Sequence, residues 1–360
     1  MSSLLPLSIV VPSRNAVSTL PAALAAIRAS KLSRDDYELI VVDDASSDAS
    51  ATVAARHADM VIRLRGRPLG PAYARNRGAE LARGDIVVFV DADVLVRPDT
   101  LPRMLAMFSG DSEVDAVSAS HDDLPAARNF ASRYWNLLLH FGEQRYVGTG
   151  GDLASGCSAV RRSVLLRAGM YDEWRFGFGC LEGLELGQRL QGAGSRVLVS
   201  QSIQVTHLRE WSVASVYREI WNRSRILTRS LGYQRTRISV PSEVVFTLSR
   251  AMPSALAVVS IVALSGAFLE PPWWLAKGTI ALVGVLLANM SVYAFYARTQ
   301  GVAFAIAAAP VHLVTQSVAA VALFAGWVLR DTVGDRAPDA TTQAYAEVGL
   351  ETWPPVPRRR

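Results

Sequence analysis

Two aspartates one residue apart, Asp91 and Asp93, follow directly on the apolar run Ile86–Val90. Two carboxylates at the end of a buried strand lose hydration and repel each other. A hard divalent ion, Mg2+ or Mn2+, removes both costs and takes diphosphate oxygens in the same shell. It also neutralises the charge that grows on a departing nucleoside diphosphate. A solvated turn with two acids is the other meaning of the same pattern. A second acidic cluster, Asp43-Asp44-Ala45-Ser46-Ser47-Asp48, ends the apolar pair Val41-Val42. A carboxylate there can accept from a base N–H or from ribose hydroxyls, whereas Ser46, Ser47 and Asp48 could all cap a helix from Ala49 onward. Both uses stay open for different residues. In a third stretch, Gly70-Pro71 opens a run of helix formers that carries Arg75 and Arg77. A helix N-terminus favours anions, and arginine can fork onto phosphate oxygens, although exposed surface arginines would read the same.

These clusters need elements to hold them. Leu7–Val11, Glu38–Val42, Val61–Leu64 and Ile86–Val90 are short apolar runs. Between them lie helical stretches: one with Leu20, Leu24 and Ile27 on a single face, then Ala51–Ala58 and Ala72–Leu81. Strands alternating with helices predict parallel pairing and right-handed crossovers, and continuous apolar runs suit a sheet covered on both faces. Ligands bind such sheets at the carboxyl ends of the strands, where the polar clusters sit.

The chain has 360 residues, half of them hydrophobic and 19% charged, with a mean hydropathy of +0.21. That excludes a largely disordered chain. Two cysteines exclude a disulfide scaffold, and Cys157 and Cys180 have no zinc-like spacing. The net charge is +5, with Lys31 and Lys277 as the only lysines. Nucleic acid is not the expected partner, because the arginines gather beside apolar segments rather than on a separate basic domain. No basic n-region precedes the first apolar run, so the N-terminal domain is expected to be cytosolic.

Beyond residue 211 the character changes. Residues 212–240 place Val213, Val216, Tyr217, Ile220, Trp221, Leu227 and Leu231 near one helical face, with Arg218, Arg223, Arg225 and Arg229 on the rest. That pattern is a basic amphipathic helix on a membrane, or an ordinary surface helix. Residues 241–330 hold three apolar stretches, Ala251–Leu269, Leu275–Ala297 and Gly301–Leu329, each long enough to span a bilayer of about 30 Å. Arginines before the first span, and Arg298 between the second and third, predict an inner-membrane, multi-pass protein with those segments cytoplasmic and its tail outside. Residues 331–360 are expected to be disordered.

Taken in order, Ser8-Ile9-Val10-Val11-Pro12-Ser13-Arg14-Asn15, the Asp43-Asp44-Ala45-Ser46 cluster, Ala74-Arg75-Asn76 and Asp91-Ala92-Asp93 resemble glycosyltransferase family 2. The resemblance continues through Gly156–Arg162, Glu182–Leu190 and His207 and covers roughly residues 7–215. No GxGxxG follows the first strand, which argues against a dinucleotide-binding oxidoreductase. The resemblance implies an α/β domain of GT-A fold over 1–211, Rossmann-related, followed by an all-α transmembrane region. It implies a UDP- or GDP-sugar donor held by Pro12, Asn15, Asp43 or Asp44, Arg75, Asn76, Asp91 and Asp93. A divalent ion would sit on Asp91 and Asp93, with His207 as a further ligand. The resemblance implies inverting transfer, and the membrane segments point to a lipid-linked or envelope-glycan acceptor.

One position departs from that pattern. The family's general-base aspartate aligns with Gly183, which cannot take a proton. Glu182 is adjacent, and Glu185 lies three residues on, near the same helical face. Three readings follow: Glu182 or Glu185 serves as the base; the enzyme works slowly or uses an acceptor that is already ionised, such as a lipid phosphate; or transfer is lost and the chain is a nucleotide-sugar-binding membrane partner. Tyr134, Trp135, Trp174 and Trp211 could stack on sugar rings or fill a core.

Overall fold

The computed structural model describes residues 6–109, 114–145, 153, 156–173, 181–233, 242–266, 273–329 and 350–353. Among these, two compact units separate. The first holds residues 1–128, 142–209 and 335–360; the second holds 129–141 and 210–334. The second unit thus takes in Asn129–Phe141 as well as Glu210–Gly334.

The first unit is built on one mixed sheet. Its strands are β1 (Leu7–Ser13), β2 (Tyr37–Asp44), β3 (Met60–Leu64), β4 (Ile86–Val90), β5 (Val94–Val96), β6 (Ala116–His121), β7 (Cys157–Arg161), β8 (Val197–His207) and β9 (Leu350–Trp353). Their spatial order is β5-β8-β6-β7-β4-β1-β2-β3-β9. Strands β3, β2, β1 and β4 run parallel, joined by α1 (Leu20–Arg28), α2 (Ser50–His57) and α3 (Pro71–Leu81). Every residue of β1, β2 and β4 is buried, which is why those runs carry no alternation. Strand β7 then pairs antiparallel with β4 and β6, so the wholly parallel expectation holds only for the first half.

Two local choices position the site. Pro71 sits in the first turn of α3, where its missing N–H costs nothing, and Gly70 at φ +95° supplies the left-handed turn into it. Gly78 then lets α3 lie on the sheet: a Cβ there would overlap Val10 Cγ1 and approach Val42 Cγ2 to 3.2 Å. The helix α2 begins one residue later than the serine caps predicted, with Ala49 as its N-cap residue. Asp48 instead accepts from the Ser50 amide at 2.9 Å and from the Val17 amide at 3.2 Å.

The second unit is helical. It contains the start of α5 (Phe130–Glu143), then α8 (Val213–Tyr233), α9 (Ser242–Gly266), α10 (Trp273–Ala288), α11 (Met290–Gln300) and α12 (Val302–Val328). The short helices α4 (Thr100–Ala106), α6 (Arg162–Arg167) and α7 (Glu182–Gly192) belong to the first unit. Tyr134, Trp135 and Trp211 are buried in the helical core with Val216 and Ile220 of α8. These aromatics pack rather than face a sugar, and part of the apolar face of α8 is spent on protein rather than lipid. Trp174 lies outside the described residues.

The membrane expectation changes most. Among the described residues only α12 is long and apolar enough to cross alone. The second predicted stretch is broken at Asn289 into α10 and α11, bent by 59°, and the apolar part of α9 runs only from Pro253 to Ser265. Three spans are not found among the described residues. The tail is corrected too: Leu350–Trp353, expected to be disordered, forms β9 antiparallel to β3. A strand cannot pair through a bilayer, so any crossings between residues 64 and 350 must be even in number. An external tail after three spans is incompatible with this sheet.

Two outcomes follow. Single cysteines at Asp35 and Glu351, placed in a chain with Cys157 and Cys180 replaced by alanine, should react with an impermeant maleimide from the same face of sealed vesicles. Gly78→Ala should lower stability by about 1–2 kcal/mol in thermal unfolding, because overlap with rigid Val10 outweighs the helix gain of about 1 kcal/mol.

Candidate donor site

The aspartates singled out by sequence lie at strand ends, as expected, but divide their work. Asp43, the penultimate residue of β2, lies beside Ser13 of β1 and is fully buried. Neither of its carboxylate oxygens has a hydrogen-bond donor, and the nearest cation, Arg63 Nε, stands 3.8 Å away. Buried carboxylates are normally bonded, and this one has no donor among the described residues. Asp44 is different. Its two oxygens accept the amides of Leu69 and Gly70, each at 2.8 Å, fastening the loop that leads into α3. Burial pushes its carboxyl above the usual range, and those two amides pull the other way. Of the two acids, Asp43 is thus the one whose oxygens the described residues leave unused.

The two asparagines are also committed. Asn15, at φ +48°, accepts the Ser47 amide at 2.9 Å, and its own amide donates to Ser46 Oγ at 3.0 Å. Asn76 donates to the Tyr171 carbonyl at 2.9 Å and to Glu173 at 2.7 Å, and accepts the Tyr171 amide at 3.0 Å. Both hold loops in place. Pro12 lies within β1, opposite Val42.

Arg75 is the centre of the site. It is 8% exposed, yet its guanidinium donates to Glu182 Oε1 and to Asp91 Oδ1, each at 2.7 Å. The ring of Tyr171 lies 5.4 Å from its carbon. Burial alone would favour loss of the proton; Asp91 and Glu182 outweigh it and keep the arginine charged. Asp91 is one-third exposed, and among the described residues only its Oδ1 is bonded, to Arg75. Its amide is held by the carbonyl of Gly156, at 2.8 Å. Gly156 has φ +75°, and a Cβ there would stand 2.9 Å from Val94 and 3.3 Å from Asp91 Oδ2.

Asp93 faces the other way, toward His207, whose Nε2 lies 3.3 Å from Oδ2. The pairing of Val94 with His207 across β5 and β8 brings them together. Burial acts to raise the Asp93 carboxyl, but the His207 bond and charge, with Arg209, hold it below the usual range. Behind His207 stands His121, ring centroids 5.6 Å apart, itself bonded to Glu143 at 2.8 Å. Asp91 and Asp93 offer hard oxygens and His207 an imidazole, which fit a divalent ion. Among the described residues no three such side chains converge on one point.

The two base candidates are occupied. Glu185 is forked by Arg189 at 2.8 and 2.9 Å, an arginine that also donates to the Met170 carbonyl at 2.6 Å. Glu182 gives Oε1 to Arg75, and its Oε2 is sealed from solvent with no donor. Burial raises its carboxyl above the usual range; Arg75 opposes that less strongly. Sequence reasoning missed Tyr171, Glu173 and the His121–Glu143 pair. Their partners lie far away in sequence, and no local spacing marks them.

Residues 8–169 match the model for glycosyl transferase family 2. The chain carries a family 2 glycosyltransferase domain. It is 33% identical over 166 residues to an undecaprenyl-phosphate 4-deoxy-4-formamido-L-arabinose transferase of Pseudomonas fluorescens, covering 44% of this chain and 47% of that one. The enzyme of the same name from Yersinia enterocolitica is 32% identical over 165 residues, 44% of this chain and 49% of that one. The chain thus spans about half the length of these curated relatives. Among solved structures, the mannosyltransferase PcManGT of Pyrobaculum calidifontis, in complex with GDP-mannose and Mn2+, superposes with a TM-score of 0.54. It is 20% identical and covers 86% of this chain and 87% of that one, a likeness that shows the shared GT-A fold.

Removing the central cation should be severe. Arg75→Met leaves Glu182 buried and unpaired and should cost about 3–5 kcal/mol in thermal unfolding. The double change Arg75→Met with Glu182→Leu should recover part of that loss.

Proposed function

We propose that this protein is an inverting glycosyltransferase that moves a sugar from a UDP- or GDP-sugar to the phosphate of a polyprenyl lipid at the cytoplasmic face of the cell membrane. The observation that carries the reading concerns α7. Gly183 stands where the family places its base, Glu185 is held by Arg189, and Glu182 is held by Arg75 and sealed from solvent. An alcohol acceptor would need a base, whose loss typically lowers rate by about 10²–10⁴-fold. A phosphate monoester, with its second pKa about 6, is already ionised at neutral pH and needs none. The relatives' printed acceptor, undecaprenyl phosphate, is of that class.

In this mechanism a phosphate oxygen of the lipid attacks the anomeric carbon. The bond from that carbon to the nucleoside diphosphate breaks, and its electron pair leaves with the diphosphate. No proton has to be removed. Asp43 supplies a buried acceptor for N–H groups of the nucleotide base, and Arg75 holds positive charge beside the diphosphate site. A Mg2+ or Mn2+ held by Asp91, Asp93 and His207 would neutralise charge on the leaving diphosphate. The long apolar α12 and the arginines of α8 support a membrane location.

The test uses full-length protein in detergent with UDP- and GDP-sugars, offering polyprenyl phosphate and polyprenol in parallel. Sugar should pass to the phosphate and not to the alcohol, and Gly183→Asp should bring no gain with the phosphate. Transfer to polyprenol, or a gain of tenfold or more in Gly183→Asp, would overturn the base-free reading. Donor binding without transfer to any acceptor would mark the chain as an impaired family member.

A further inference from the structure

Glu182 sits beside the missing base, and its sequence position nominates it as a substitute. Its geometry gives it another task. Its side chain is 9% exposed, and one oxygen grips Arg75 at 2.7 Å while the other has no donor. Arg75, 10% exposed at its side chain, rests near the Tyr171 ring and has a second N–H on Asp91 Oδ1 at 2.7 Å. Tyr171 is in turn fixed through both its amide and its carbonyl by Asn76 of α3, the helix that carries Arg75. The chain of contacts runs from α7 through α3 to the turn after β4. It holds one oxygen of Asp91 and, among the described residues, leaves Oδ2 unbonded.

We propose that Glu182 is a positioning residue: through Arg75 it fixes the Asp91 carboxylate so that one oxygen faces the divalent ion and the donor diphosphate. This rests on the donor-site reading above. Guanidinium geometry explains why the link is specific. A planar fork with donors on separate nitrogens can bridge two carboxylates in one fixed arrangement, which a lysine ammonium cannot reproduce. Residues that orient metal ligands from behind typically change affinity by about 10–100-fold when lost.

The experiment measures binding as well as turnover on the full-length protein in detergent. Mn2+ alone is titrated by electron paramagnetic resonance, and UDP and GDP with Mn2+ by calorimetry. Glu182→Leu should weaken Mn2+ and nucleotide binding about 10–100-fold, with kcat at saturating donor changed less than tenfold. Glu182→Gln keeps an acceptor for Arg75 and should restore binding to within about threefold of the parent. If Glu182→Leu fails to fold, by thermal melting, Arg75→Lys carries the test: Mn2+ affinity should fall by a similar factor although the charge is kept. The proposal is overturned if Glu182→Leu, or Arg75→Lys in its place, binds Mn2+ as the parent does. It is also overturned if Leu and Gln variants lose kcat equally, by about 10²–10⁴-fold, with binding intact, for then Glu182 is the base. A parent protein that binds no nucleotide with Mn2+ overturns the donor-site reading and this proposal together. A parent that binds beside variants that bind equally overturns this proposal alone.

Discussion

A buried guanidinium governs this site. Arg75 is nearly sealed from water, and an uncompensated charge there would be untenable. The two carboxylates that compensate it come from segments far apart in the chain, Asp91 from the turn after β4 and Glu182 from the first turn of α7. Neutralising one arginine therefore fixes how three elements meet. The supporting contacts serve the same end. Gly78 lets α3 settle onto β1, Asp44 fastens the loop before α3, and Asn76 fastens the loop holding Tyr171.

Competition for hydrogen bonds sorts the acids. Neighbouring carboxylates look equivalent in sequence, yet Asp44 has two backbone amides and Asp43 has no donor. Asp91 is held at one oxygen by Arg75, while Asp93 turns to His207. The acids whose oxygens the fold has used are structural. Asp91 is the one that combines an oxygen left over with exposure to solvent. The same rule applied to α7 removes Glu185, whose two oxygens both belong to Arg189.

Much of the first unit was legible because its signals are local. Apolar runs ending in acids mark parallel strands with a site at their carboxyl ends, and β1, β2 and β4 carry that pattern in full. The roles of Asn15 and Asn76 were not legible. Each looks like a binding residue by position, but each bonds to backbone or side chains 31 to 97 residues away. The apolar count also misled. Composition shows three stretches long enough to span, but it does not show that Asn289 breaks one of them or that β9 returns to the sheet. Those facts depend on pairing at long range, which hydropathy does not encode.

The absent base and the nature of the acceptor can be understood together. The first turn of α7, after Leu181, keeps an acid at Glu182, about 100° of helical turn from Gly183. At that angle the acid meets Arg75 inside the protein instead of an acceptor outside it. An enzyme for alcohols could not tolerate such a shift, since the proton would have no destination. An enzyme for phosphates loses nothing, because its nucleophile arrives as an anion, and it gains a rigid hold on the aspartate that faces the donor. With a phosphate as acceptor, as proposed, the glycine at 183 and the buried ion pair at 182 meet one requirement: charge on the donor side and none needed on the acceptor side.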